Sequence, residues 1–134
     1  MTLPTGSVPD SDVAGPLVLV AEDEESVRQM VALALKALGY RTAVFSDGMD
    51  AATAFDDGHQ PDAVLLDVRM PRMNGIDLLR HIRSVPERAE LPVVAMSAYS
   101  DDLQAREMLD AGATAFLGKP FTIDELRTTL LALF

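Results

Sequence analysis

A doubly wound α/β layer fold, a five-stranded parallel sheet with helices on both faces, is predicted by three features of the sequence. Five short runs are apolar or nearly so, as strands covered on both faces are. The segments between and after them carry helical signals: apolar spacing of a helix with one buried face, capping residues and glycine stops. The order is strand then helix, five times, which right-handed crossovers convert into parallel strands with helices above and below.

The elements follow one another without a gap large enough for a second domain. Residues 1–16, MTLPTGSVPDSDVAGP, hold three prolines and two glycines and read as a flexible tail or linker. The domain is expected at 17–134. LVLVA (17–21) is the first strand. Val27, Met30, Val31, Ala34, Leu35 and Leu38 then recur at helical spacing, and Gly39 stops that helix. YRTAVF (40–45) alternates as a strand does, and residues 48–58 form a short helix ended by Gly58. DAVLLD (62–67) is the third strand. IDLLRHIRS (76–84) is helical with Ile76, Leu79 and Ile82 inside, which leaves His81 exposed; His59, in a DGHQP loop, is expected to be solvated. PVVAMS (92–97) is the fourth strand and residues 101–112 a helix with an acidic start and a glycine stop. TAFLG (114–118) is the fifth strand. The last helix, 122–134, opens on a Thr122-x-x-Glu125 capping box.

Composition narrows the chemistry. A chain of 134 residues suits one domain with a real core. The absence of cysteine excludes disulfides, thiolate metal sites and cysteine nucleophiles, and two histidines are too few for a typical zinc site. A net charge of −10 repels phosphates, so direct nucleic-acid binding is not expected. The same balance favours a cation site wherever carboxylates converge. No apolar stretch approaches a membrane span, and no basic-then-apolar leader opens the chain, so a cytoplasmic location is expected.

In doubly wound folds the ligand lies beyond the carboxyl ends of the strands. After the first strand come Glu22, Asp23 and Glu24; the third ends in Asp67, the fourth in Ser97, and the fifth runs into Lys119. A phosphate-binding loop would place glycines after the first strand. Carboxylates there suit a hard divalent cation such as Mg²⁺, which takes oxygen ligands. Asp67 could then act as a nucleophile that forms an aspartyl phosphate, with Lys119 and Ser97 contacting phosphoryl oxygens. Each residue alone has a plainer reading. Asp67 can cap a turn, Glu24 and in part Asp23 can serve a helix dipole, Ser97 can be a turn residue, Lys119 a surface charge and Phe116 simple core.

Four segments, VLVAEDEE, DAVLLDVRMPRMNG, PVVAMSA and GATAFLGKPF, resemble in order the receiver domain of two-component response regulators, the CheY-like superfamily. The resemblance spans about 17–134 and implies a flavodoxin-like sheet of order 2-1-3-4-5. It implies that Asp67 is the phosphoacceptor, that Asp23 is a direct Mg²⁺ ligand and Glu22 holds metal-bound water, and that the backbone carbonyl of Arg69 completes the set. It further implies that Ser97, followed by Ala98, and Lys119 bind the phosphoryl group, that Phe116 is the aromatic switch position, and that Pro120 follows a cis bond. Arg69 and Tyr99 fall at positions that tune phosphoryl lifetime. Glu22 for aspartate, Ser97 for threonine and Phe116 for tyrosine depart from the commonest pattern but remove no required group.

The resemblance implies a phosphoryl source, the phosphohistidine of a histidine kinase or a phosphotransfer protein. It also implies a readout, a shape change on the face of the fourth helix, fifth strand and fifth helix that an output domain or effector protein recognises. Two other readings use the same residues: a pseudo-receiver that works as an interaction module without phosphate, and a Mg²⁺-dependent phosphohydrolase. The phosphohydrolase would usually carry a second acid two residues after the nucleophile, where Arg69 stands.

Overall fold

The computed structural model describes residues 15–98 and 102–134. The tail expected over 1–16 lies outside the described residues except for Gly15 and Pro16. Their carbonyls accept hydrogen bonds from the Arg41 guanidinium and the Arg41 backbone N–H, each at 2.9 Å.

Ten regular elements alternate: β1 (Leu17–Ala21), α1 (Glu25–Ala37), β2 (Arg41–Phe45), α2 (Gly48–Asp56), β3 (Ala63–Asp67), α3 (Gly75–Arg83), β4 (Val93–Ala98), α4 (Asp102–Asp110), β5 (Ala115–Lys119) and α5 (Ile123–Leu131). All strand pairs among the described residues are parallel, as the strand–helix alternation predicts, and the order is β2-β1-β3-β4-β5, as the resemblance implies. The two-residue period of the strands divides the core. Leu19, Ala21, Val64, Leu66, Val93 and Ala95 face α2, α3 and α4, meeting Phe55, Leu78, Leu79, Ile82 and Met108. Val18, Val20, Ala63, Leu65, Val94 and Met96 face α1 and α5, meeting Val31, Leu35, Leu126 and Leu130. β3 is buried at every position, which is why its sequence runs apolar without alternation until Asp67.

Helix ends follow their caps. Asp47 caps α2 through the Asp50 N–H, and Asn74 caps α3 through the Asp77 N–H. Thr122 and Glu125 form the expected reciprocal capping box of α5. Gly39, Gly58 and Gly112 take positive φ at the ends of α1, α2 and α4.

The structure corrects three details. In α3 the buried residues are Gly75, Leu78, Leu79 and Ile82, while Ile76, in the first turn, is half-buried and packs against the rim of the core. His81 is not exposed: it is half-buried in the seam between α2 and α3, with Nε2 2.9 Å from Asp56 Oδ1. A 3₁₀ turn over Pro86–Arg88, absent from the periodic signal, precedes β4. A single turn is too short to show a period, although Pro86 at its first position is a start signal.

Candidate functional site at the carboxyl edge of the sheet

Parallel register brings the strand ends to one edge. Asp67 pairs with Met96 and Ala98 with Lys119, so β3, β4 and β5 finish at nearly the same level. β1 is extended past Ala21 by the Glu22 N–H, which donates to Phe45 O at 3.0 Å. Glu22 is thereby carried inward and is fully buried, while Asp23 turns out to solvent. The turn is clamped from α1, where Arg28 Nη1 donates to the carbonyls of Glu22 and Asp23 at 2.9 and 3.3 Å.

Glu22, Asp23 and Asp67 place carboxylate oxygens within 4.8 Å of one another. Lys119 Nζ stands among them, 2.6 Å from Glu22 Oε1 and 3.4 Å from Asp67 Oδ1. Glu22 Oε2 accepts from the Glu24 N–H at 3.1 Å. Oε1 is buried and is met by the Lys119 ammonium, which also serves Asp67. Buried carboxylates that share a single cation are costly unless further positive charge joins them.

The electrostatics agree. Burial, and next the charge of Glu22, push the Asp67 carboxyl up to about 7; Lys119 works against them and the contact with Asp23 adds to them. Burial pulls the Lys119 ammonium down. Its contact with Glu22 and the charges of Asp67 and Glu22 outweigh that, so it is held above the usual lysine value. A set made of oxygen donors alone, three carboxylates against one ammonium, fits a hard divalent cation.

Ser97 is buried one position beyond the level of Asp67, on the neighbouring strand, and Ala98 next to it is exposed. Phe116 is half-buried and packs against the core under α2, α3 and α4. The peptide bond between Lys119 and Pro120 is cis. Arg69 opens the β3–α3 loop, and its Nε donates to Gln104 Oε1 of α4 at 3.3 Å. Asp23, Arg69, Met70, Pro71, Asn74 and Gln104 line a groove of about 480 Å³ beside the acids. Tyr99 lies outside the described residues.

Gly75 closes the loop motif at the end of DAVLLDVRMPRMNG: a Cβ there would stand 2.4 Å from Asp67 O, so α3 can approach the end of β3 only at glycine. Two contributors escape the sequence reading. Arg28 is one, and the other is Arg72, which has φ +66 and pairs with Asp47 and Asp50 at 3.1 and 3.4 Å. Nothing in an isolated RMN triplet announces a left-handed arginine.

The family described as "Response regulator receiver domain" matches residues 18–131. The regulatory protein AtoC of Escherichia coli K12 is 41% identical over 109 residues, covering 81% of this chain and 23% of AtoC. The transcriptional regulatory protein PdtaR of Mycobacterium tuberculosis is 38% identical over 123 residues, covering 91% of this chain and 58% of PdtaR. The chain thus spans about a quarter to somewhat over half the length of these relatives. Among solved structures, the receiver domain of the sensor histidine kinase PA1611 of Pseudomonas aeruginosa PAO1 aligns with a TM-score of 0.82 at 30% identity, over 90% of this chain and 98% of that one. That structure carries a magnesium ion coordinated in its active-site cleft.

Proposed function

The chain belongs to the response regulator receiver domain family, and from that premise we propose that Asp67 accepts a phosphoryl group and passes the event to a partner as a change of shape. Receiver domains are phosphorylation-dependent switches rather than general catalysts. The observation that carries the assignment of Asp67 is the meeting of Glu22, Asp23, Asp67 and Lys119 at one strand edge.

The donor is the phosphohistidine of a histidine kinase or phosphotransfer protein. An Asp67 carboxylate oxygen attacks phosphorus, the P–N bond breaks, and imidazole leaves with the bonding pair. Reversal of the signal is hydrolysis: water attacks phosphorus, the acyl O–P bond breaks, and the products are phosphate and the free carboxylate. Glu22, Asp23, Asp67 and the Arg69 carbonyl would hold Mg²⁺, Glu22 through a water. When bound, the ion supplies positive charge opposite the phosphoryl oxygens. Lys119 gives a point charge to one of those oxygens, and the Ser97 hydroxyl donates to another. The attacking form of Asp67 is ionised, so the pull of Lys119 against burial keeps the nucleophile available.

Phosphorylation adds about −1.5 to −2 charge to a buried edge, and the groups that answer it must move. Ser97 draws inward, Phe116 turns toward the space it leaves, and the face built from α4, β5 and α5 changes. This shifts a population between two states, which an output domain or effector reads. The net charge of −10 argues against nucleic-acid contact by this domain itself. Among the described residues no helix is long and apolar enough to cross a membrane. We place the domain in the cytoplasm, where phosphodonor kinases have their catalytic parts.

Incubation with acetyl phosphate and Mg²⁺, read by intact mass, tests the proposal. A phosphoryl adduct that Asp67→Asn abolishes is the expected result. Steady release of phosphate without a detectable adduct points to a phosphohydrolase. No adduct and no turnover points to a pseudo-receiver, and an adduct that persists in Asp67→Asn refutes the assignment.

A further inference from the structure

A backbone carbonyl can belong to a donor set only if its loop is held in place. The loop after β3, residues 68–74, is short and closed on itself: Gly75 N–H donates to Val68 O at 2.8 Å, and Met73 N–H to Pro71 O at 2.7 Å. These bonds tie the two ends of the loop, so Arg69 and Arg72 lie within one short closed segment.

Two contacts on the α2 side fix that segment. The first is backbone on backbone. A Cβ at Gly48, in the first turn of α2, would stand 2.1 Å from Met73 O, so the loop rests directly on the helix start. The second is ionic. Arg72 Nη1 lies 3.1 Å from Asp47 Oδ2 and 3.4 Å from Asp50 Oδ1. Asp47 is 7% exposed, and its other oxygen, Oδ1, caps α2 through the Asp50 N–H at 2.8 Å. One buried carboxylate thus holds the helix start with one oxygen and the loop with the other.

The backbone of Arg72 reports that the loop is constrained. Its φ of +66 is the one positive value at a non-glycine residue among the described residues. The left-handed region costs an L-residue roughly 1–2 kcal/mol, so surrounding contacts must maintain it. An exposed ion pair alone contributes about 0–1 kcal/mol, too little to explain both the strain and the burial of Asp47.

We infer that Arg72 is a positioning residue for the cation site: through Asp47 it fixes the β3–α3 loop so that the Arg69 carbonyl faces the carboxylates. The inference rests on the reading that Glu22, Asp23 and Asp67 hold a divalent cation. Positioning and simple charge make opposite forecasts. Removing a positive charge near an acidic site should tighten a cation if only the field mattered. Removing a positioning contact should loosen it.

The test is calorimetric titration of the full chain with Mg²⁺, alongside thermal unfolding in metal-free buffer, for wild type, Arg72→Gln, Arg72→Gly, Arg72→Lys, Asp47→Asn and the double variant Arg72→Gln/Asp47→Asn. Asparagine still caps a helix, so Asp47→Asn removes the ion pair and spares α2. Arg72→Gly removes the pair while relieving the backbone, and thermal unfolding separates a loss of binding from a loss of fold. Arg72→Gln, Arg72→Gly and Asp47→Asn are each expected to weaken Mg²⁺ roughly tenfold, the scale of contacts that orient metal ligands. The double variant should be no weaker than either single variant, and Arg72→Lys should retain most of the affinity. Wild type that binds Mg²⁺ with Arg72→Gln and Arg72→Gly binding equally or more tightly overturns the inference and leaves the cation site standing. Wild type that binds no Mg²⁺ overturns the cation site and the inference with it.

Discussion

The two edges of the one sheet hold charge in opposite ways. At the amino edge, charged side chains are matched to groups that satisfy them. Arg83 donates to Gly112 O at 3.2 and 2.8 Å and to Arg88 O at 2.7 Å, Arg88 donates to Ile82 O at 3.1 Å, and its guanidinium sits 4.8 Å from the centre of the Phe55 ring. Asp62 and Leu17 exchange hydrogen bonds at 2.7 and 2.8 Å. At the carboxyl edge, Glu22 and Asp67 are buried beside each other and one lysine serves both. Charge that ties loops together is satisfied within the chain. We propose that the charge concentrated at the buried edge receives a ligand, although the amino edge has the larger hollow, about 640 Å³ between Phe55, His59, Pro61 and Leu91.

The contrast can be broken from either side. The largest effect should be on phosphorylation, which Asp67→Asn removes altogether. The same substitution should also stabilise the metal-free protein, with a definite pH signature. Folding raises the Asp67 value from 3.8 to about 7, so between these limits the native state holds more protons than the unfolded one. Stability therefore falls as pH rises through that window. Asp67→Asn escapes the fall, so its advantage should be absent near pH 4 and complete above pH 7. At about 1.4 kcal/mol per pH unit, the advantage has a ceiling of about 4 kcal/mol. Chemical denaturation in EDTA across this range checks it, and a gain that does not vary with pH would show that burial of the Asp67 charge is not its source.

Next in size, Lys119→Ala should destabilise the metal-free protein at pH 8 by about 3 kcal/mol, because Glu22 and Asp67 lose the cation they share. A cost below about 1 kcal/mol would mean the lysine behaves as a surface charge. Smallest is the change at the other edge. Arg83→Ala should cost about 1–3 kcal/mol through its carbonyl partners and leave the rate of phosphorylation by acetyl phosphate unchanged. A slower rate in a variant of undiminished stability would show that the two edges are not independent.

Much of this was legible in the sequence because the signals are local. Apolar runs at 17–21, 62–67 and 92–97 mark strands buried on both faces, and whatever polar residue ends such a run in a parallel sheet must arrive at the common edge. Glu22, Asp23, Asp67 and Ser97 were placed that way, and Lys119 fell at the end of β5 itself. What was not legible depends on partners far apart in the chain. His81 reads as a solvent position on its helix, yet it meets Asp56, 25 residues earlier. Arg72 draws no reading, because its contact with Asp47, also 25 residues away, goes with a left-handed backbone that arginine does not signal.

The central claim is that Asp67, and no other carboxylate, carries the phosphoryl group. Borohydride reduces an acyl phosphate to an alcohol, so an aspartyl phosphate is left as homoserine in the chain. Peptide mapping by mass spectrometry after phosphorylation with acetyl phosphate and Mg²⁺, then reduction, should find homoserine at position 67 alone. Homoserine elsewhere, or a phosphorylated protein that yields none at 67, would contradict the account.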